Sequence, residues 1–269
     1  MRKKTFLTAL LTGVLCGSVF GGTDSTSSTT PVLVELFTSE GCSSCPPADK
    51  MLANLDRLQP VAGAQAIVIE EHVDYWNHDG WMDKYSSSAF TERQSVYKDR
   101  FKLNDDYTPQ MVVDGETQFN GSDAKAAVKA IEEARGKPKV GVRLSAFSVE
   151  GKAAHVHVEA DGLTSAIGAG KADVYVVIAL DRAESQVLRG ENKGRDLKHV
   201  AVALAVNKVG TVNQGEAFRR DVAVKLPSSV EAANLRVIAF VQKGDSGEVI
   251  GSALLAASGA NAEAVLKGE

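Results

Sequence analysis

The sequence predicts an α/β unit over residues 32–137 followed by an antiparallel β-sandwich over 138–258. Three observations point there. Up to Arg135 the chain alternates apolar runs with helix-period segments, in the order strand, helix, strand, helix, strand–turn–strand, helix. From Lys139 the helical period vanishes and short apolar runs recur between turn residues. Where the first strand meets the first helix, a polar turn delivers Cys42 and Cys45.

The first strand opens at Val32-Leu33-Val34 and carries one charge, Glu35. Pro46 and Pro47 suit the opening of a helix, where a missing backbone N–H costs little. Met51, Leu52, Leu55 and Leu58 keep helical spacing until Pro60. Residues 66–73 read as a buried second strand, followed by a polar, aromatic stretch holding Asp74, Tyr75, Trp76 and Trp81. A helix is expected over 86–102, with Phe90, Val96, Tyr97 and Phe101 as its apolar positions. Tyr107-Thr108-Pro109 leads into a strand and a tight turn at Asp114-Gly115, and Ser122 or Asp123 can cap a helix from Ala124 to Arg135. Beyond Lys139, strands are expected around Val140–Leu144 and Val156–Val158. Others follow at Val174–Leu180, Val200–Val206, Phe218–Leu226, Leu235–Gln242 and Val249–Leu255. About seven strands in about 120 residues suit a sandwich. His155 and His157 share a strand face without a third ligand nearby, so an exposed polar face is the simpler reading.

The ends bound the chemistry. Arg2-Lys3-Lys4 precedes an uncharged apolar stretch from Phe6 to Phe20, and small Gly21 follows. This is the pattern of a signal peptide over 1–21, with a Ser/Thr-rich tether over 22–31 and a weak Ala/Gly tail over 259–269. An uncleaved anchor is the alternative. Lipidation at Cys16 is disfavoured by Leu15, which is not small. A periplasmic or secreted protein is expected, without a membrane span in the mature chain. The net charge of −4 offers no electrostatic case for nucleic acid.

Export leaves two cysteines, in a compartment where a disulfide persists. Their ring would enclose two residues and restrict the unfolded chain only slightly, which favours a working redox pair over a structural staple. Zinc in a closed site needs four ligands, and the only other cysteine is Cys16, so no metal is assigned. Cys42, nearer the helix end and expected to be the more exposed, should attack; Cys45 should resolve the mixed disulfide. Glu35, if buried, could move a proton to Cys45. His72 could tune a thiol or join the cysteines on a metal; a structural role is the plainer reading. Tyr75 and Trp76 could line a substrate groove or simply pack a loop. The polar loop Leu188–Asp196 could pin the sandwich to the first unit near Tyr75–Trp81, with Glu191 or Arg195 forming ion pairs, or be merely solvated.

Cys42-Ser43-Ser44-Cys45 opening a helix, with Thr108-Pro109 before a hairpin, resembles the thioredoxin fold. That resemblance implies a cis Pro109 against the disulfide and a Thr108 backbone that pairs with bound peptide. It also places Glu35 where thioredoxins keep a buried acid. Gly41 replaces the usual Trp, and two serines replace Gly-Pro, so the direction of electron flow does not carry over. Glu35 to Asp49, His72 to Trp76, and Gly190 to Arg195 with Leu197 and His199, resemble more closely a secreted bacterial family, domain of unknown function 1223. The expected activity is thiol–disulfide exchange with exported protein thiols or small thiols, with no organic cofactor. A copper chaperone using Cys42, Cys45 and His72, or a non-catalytic interaction module, are the rivals.

Overall fold

The computed structural model describes residues 29–168, 170–227 and 230–256. The expected signal peptide, Cys16, nearly all of the tether and the tail lie outside the described residues. The order is β1 (Thr30–Thr38), α1 (Pro46–Leu58), β2 (Ala64–His72), α2 (Ser88–Phe101), β3 (Gln110–Val113), β4 (Thr117–Asn120) and α3 (Ala124–Arg135). Seven strands follow: β5 (Val142–Glu150), β6 (Ala153–Ala160), β7 (Lys171–Gln186), β8 (Asp196–Asn213), β9 (Phe218–Lys225), β10 (Leu235–Gln242) and β11 (Val249–Ala256). Ser87 caps α2 and Asp123 caps α3, each side chain accepting from backbone N–H groups of the first turn. No helix among the described residues is long and apolar enough to cross a membrane.

The fold is mixed α/β, and its strands are shared in a way the expected two-unit layout lacks. One mixed sheet of eight strands runs β11-β10-β7-β8-β2-β1-β3-β4, and a separate antiparallel sheet runs β5-β6-β9. The join is β2 to β8, parallel, at Glu70 and Val202. Four strands assigned from the sequence to the C-terminal unit therefore extend the N-terminal sheet. The three largest hydrophobic clusters lie along that sheet. Val32, Val34 and Leu36 pack with Ala48, Leu52 and Leu55 of α1 and with Ala130 and Ile131 of α3. The alternate β1 residue Leu33 joins Ile67, Ile69, Phe90 of α2 and Phe240 of β10. The small sheet covers β7 and β10 through Val156, Val158, Val174, Val176 and Val237. Val96, expected to be apolar core, is 67% exposed on the outer side of α2.

Helix α1 is also tied to the C-terminal strands by charge. Buried Arg236 of β10 donates to Asp56 of α1 at 2.9 Å and to Asp181 of β7 at 2.9 Å. Burial opposes ionisation of Asp56, but hydrogen bonds and charge from Arg236 outweigh it and hold the carboxyl below its ordinary 3.8. A depressed folded pKa means the contribution is complete above the unfolded value and is lost as pH falls through the folded one. Asp56→Asn should therefore lower the urea midpoint at neutral pH, and its gap to the wild type should close only below about pH 4. Urea melts across that range check it; a gap of constant size at every pH would refute the linkage.

Candidate functional site: a covered disulfide beside a buried acid–imidazole cluster

β1 ends at Thr38, and a turn carries the chain to the start of α1. In that turn the Cys42 N–H donates to the Ser39 carbonyl at 3.1 Å. Cys42 and Cys45 are joined as a disulfide, and Cys45 is the cap residue of α1, with proline in the first helical positions. The pair thus sits at the positive end of a helix dipole. Both cysteines are 0% exposed. This corrects the expectation that Cys42 is open to solvent: Ser43 and Ser44 face outward instead. Ser43 does not cap the helix by its hydroxyl; its N–H donates to Glu191 at 3.2 Å. Ser44 Oγ lies 3.3 Å from Cys42 Sγ and 3.5 Å from the Thr108 carbonyl oxygen.

The cover comes from two directions. The β7–β8 loop, exposed at every position from Leu188 to Asp196 except Asn192, lies over the Cys42 turn. Asn192, 1% exposed, donates through Nδ2 to the carbonyl oxygens of Glu40 and Cys42, each at 2.9 Å. Gly190 has φ +75°, and a Cβ there would lie 3.1 Å from the Asp79 carbonyl, so the loop seats against the Trp81 segment only with glycine. Among the described residues Glu191 and Arg195 form no ion pair across this contact; the docking rests on the buried Asn192 amide and on the Glu191 carboxylate accepting from the Ser43 N–H. From the other side, Trp76 Nε1 donates to Thr108 Oγ1 at 2.7 Å. A Cβ on Gly41 would sit 3.0 Å from Trp76 Cβ. That crowding accounts for a glycine at position 41. Thr108–Pro109 is cis, Pro109 is buried, and Tyr75 OH donates to Gln94 at 3.1 Å. Burial raises the Tyr75 phenol to about 12, so it acts as a neutral donor.

Glu35 is buried but not beneath the disulfide. It alternates to the sheet face opposite α1, where Arg93 and Tyr97 of α2 donate to it at 2.7 and 2.6 Å. A shuttle from Glu35 to Cys45 is therefore excluded by strand alternation. The buried acid on the cysteine side is Asp49, one helical turn after Cys45 on the buried face of α1. Thr38 Oγ1 donates to it at 2.7 Å. Burial, reinforced by Glu70, pushes Asp49 up to about 7.

Beyond Asp49 the ends of β2 and β8 bring together Glu70, His72 and His199, all buried. His72 Nδ1 is 2.6 Å from Asp83, whose carboxylate also accepts the Glu40 N–H at 2.9 Å. His199 Nδ1 is 2.7 Å from Glu70, and the two imidazoles meet edge-on at 4.8 Å. Burial works against charge on both rings, but Asp83 for His72 and Glu70 for His199 raise them above the ordinary imidazole value. His72 thus faces His199 and two carboxylates rather than joining the cysteines.

Residues 33–242 match the family described as protein of unknown function (DUF1223). The chain belongs to this family. The crystal structure of a protein from Agrobacterium tumefaciens superimposes with a TM-score of 0.63 at 27% identity, covering 85% of this chain and 95% of that one. HBP35 of Porphyromonas gingivalis shares the fold at a TM-score of 0.62 and 14% identity, over 85% of this chain and 75% of its own. No curated protein matches the sequence. The family motif already held Asp49 and His199. What the residues alone offered for Asp49 was its i+4 spacing from Cys45, inside the stripe that Ala48, Leu52 and Leu55 bury. The same motifs held Glu40 and Asn192, and Glu70 lay outside them without a comparable signal.

Proposed function

We propose that this DUF1223 protein is an exported thiol–disulfide oxidoreductase, with a thioredoxin-like N-terminal part and a sandwich-like C-terminal part. The observation that carries the reading is the Cys42–Cys45 disulfide at the start of α1, one turn from a buried carboxyl and linked through the Ser44 hydroxyl to the Thr108 carbonyl. In the oxidised form an incoming thiolate attacks Cys42 Sγ, the Cys42–Cys45 bond breaks, and Cys45 leaves as a thiolate that takes a proton. A second substrate thiolate then attacks the substrate sulfur of the mixed disulfide and releases Cys42. The substrate dithiol is oxidised by two electrons and the protein pair is reduced; the reverse sequence reduces a substrate disulfide. Thr108 and Trp76 form the rim where an extended substrate lies, and Asp49 supplies the proton to Cys45.

The first test is dithiothreitol-driven insulin reduction, and reduction of the protein itself by dithiothreitol, with Cys42→Ser as the inactive control. Asp49→Asn should slow exchange about tenfold, and on protein dialysed against EDTA the wild-type rate should inflect near pH 7 while the variant loses that inflection. An unchanged profile in Asp49→Asn removes Asp49 from proton transfer. Burial of both sulfurs favours one rival, a structural disulfide in an interaction protein. A pair that resists dithiothreitol in the native state, even with the covering loop released, establishes that rival.

A further inference from the structure

The acid–imidazole cluster has more negative charge and more unused donor atoms than a closed hydrogen-bond network requires. Glu40, Asp49, Glu70 and Asp83 are each at most 3% exposed. Among the described residues no Lys or Arg pairs with any of them; the cationic partners are His72 and His199 alone. Even with a proton left on Asp49, three carboxyls stand against two imidazoles in a space closed to water, an arrangement that calls for a cation.

The free atoms say where it sits. His72 Nε2, His199 Nε2 and Glu40 Oε1 are buried with no hydrogen-bond partner. His72 Nε2 is 3.5 Å from Glu70 Oε1, and His199 Nε2 is 3.7 Å from Glu40 Oε1. Glu70, His72 and His199 each offer one ligand atom, all within 4.8 Å of one another. Donors around a shared ion at about 2.0–2.2 Å stand roughly 3.3–3.6 Å apart, so these separations are long for direct hydrogen bonds yet natural across a metal. Each imidazole also has Nδ1 held by a carboxylate, Asp83 for His72 and Glu70 for His199. For His72 that is the outer support metal-binding histidines have, and it leaves Nε2 to face the ion; Glu70 Oε1 lies between His72 Nε2 and His199 Nδ1, where the three residues meet.

We propose that Glu70, His72 and His199 bind one divalent first-row transition ion, zinc foremost. The set is nitrogen and oxygen. Sulfur takes no part, because Cys42 and Cys45 are bonded to each other. This separates the site from a thiolate copper centre, and zinc suits two imidazoles with carboxylates. Asp83, which holds His72, also accepts the N–H of Glu40, two residues before Cys42, so the ion would brace the turn that carries the disulfide.

Zinc binding by the whole chain tests this without any redox assay. Protein stripped with a chelator is titrated with zinc sulfate against a chromophoric chelator, for the wild type, the Cys42→Ser/Cys45→Ser double variant and His199→Gln. The wild type and the double variant should each take up one equivalent with similar affinity, and His199→Gln should bind at least about 100-fold more weakly. Zinc-edge X-ray absorption of the loaded wild type should show nitrogen and oxygen neighbours and no sulfur. Should His199→Gln fold poorly, the wild-type titration and spectrum decide alone. No uptake by stripped wild type, sulfur in the ligand shell, or equal affinity in a folded His199→Gln overturns the site. Because the double variant lacks both Cys42 and Cys45, failure here leaves the oxidoreductase reading standing, and the converse holds.

Discussion

Arg93→Met is expected to destabilise the protein by about 3–5 kcal/mol, the range found when one partner of a buried ion pair is removed. Arg93 reaches from α2 to Glu35 at 2.7 Å and to Gln242 of β10 at 3.3 Å, and Tyr97 adds its hydroxyl to Glu35 at 2.6 Å. The guanidinium also lies 5.1 Å from the Phe240 ring centre and 5.2 Å from that of Tyr97. Burial pushes the nearby Glu71 well above the usual carboxylate range, and Glu35 adds to this against the pull of Arg93. The cluster thus approaches one guanidinium for one carboxylate, and removing Arg93 strands the Glu35 charge in the interior. Arg93→Lys should fall between wild type and Arg93→Met, because a single ammonium cannot fork to Glu35 and Gln242 together. Adding Glu35→Gln to Arg93→Met should recover most of the loss, since removing both charges strands neither. Urea midpoints of the four proteins measure this. A loss under about 1 kcal/mol in Arg93→Met would show that Glu35 is solvated in solution.

The element order was legible because it rests on local signals: the stripe of Leu52 and Leu55, the prolines opening α1, Asp123 before α3, and alternation in β6. How the strands assemble was not. β2 and β8 meet through backbone pairing at Glu70 and Val202, which leaves no periodic mark in either strand. Glu70-Glu71-His72 resembles a strand end reaching water, yet all three are 0% exposed because β8, α2 and the turn after β1 close over them. At the site, the cysteine pair and Pro109 were read from a local motif. Glu35 was read as an acid either buried or reaching solvent at a strand end, and it is buried; its partner lies 58 residues away, and strand alternation turns it from the cysteines. Asn192 could not be singled out, since its neighbours in the loop are all exposed and polar. Its role exists only where the loop meets the Cys42 turn.

Asn192→Ala should speed reduction of the Cys42–Cys45 disulfide by dithiothreitol about 30-fold. Both sulfurs are inaccessible in the closed form, so an external thiolate reacts only when the loop lifts from the Cys42 turn. The observed rate then scales with the open population. The Asn192 amide holds the loop by two hydrogen bonds to backbone carbonyls. At a net ~1 kcal/mol each, losing both favours opening by ~2 kcal/mol, which is about 30-fold. Glu191→Ala is the control: its contact with the Ser43 N–H is single, longer and exposed, so a change of only a few-fold is expected. Gly190→Val should act like Asn192→Ala by a separate route, since a side chain at φ +75° would also press on the Asp79 carbonyl and push the loop away. The rates are read by gel shift after trapping the freed thiols with maleimide. Equal rates in wild type, Asn192→Ala and Gly190→Val would mean that the loop does not control access to the disulfide, and thiols would have to enter past Ser44 and Thr108 instead.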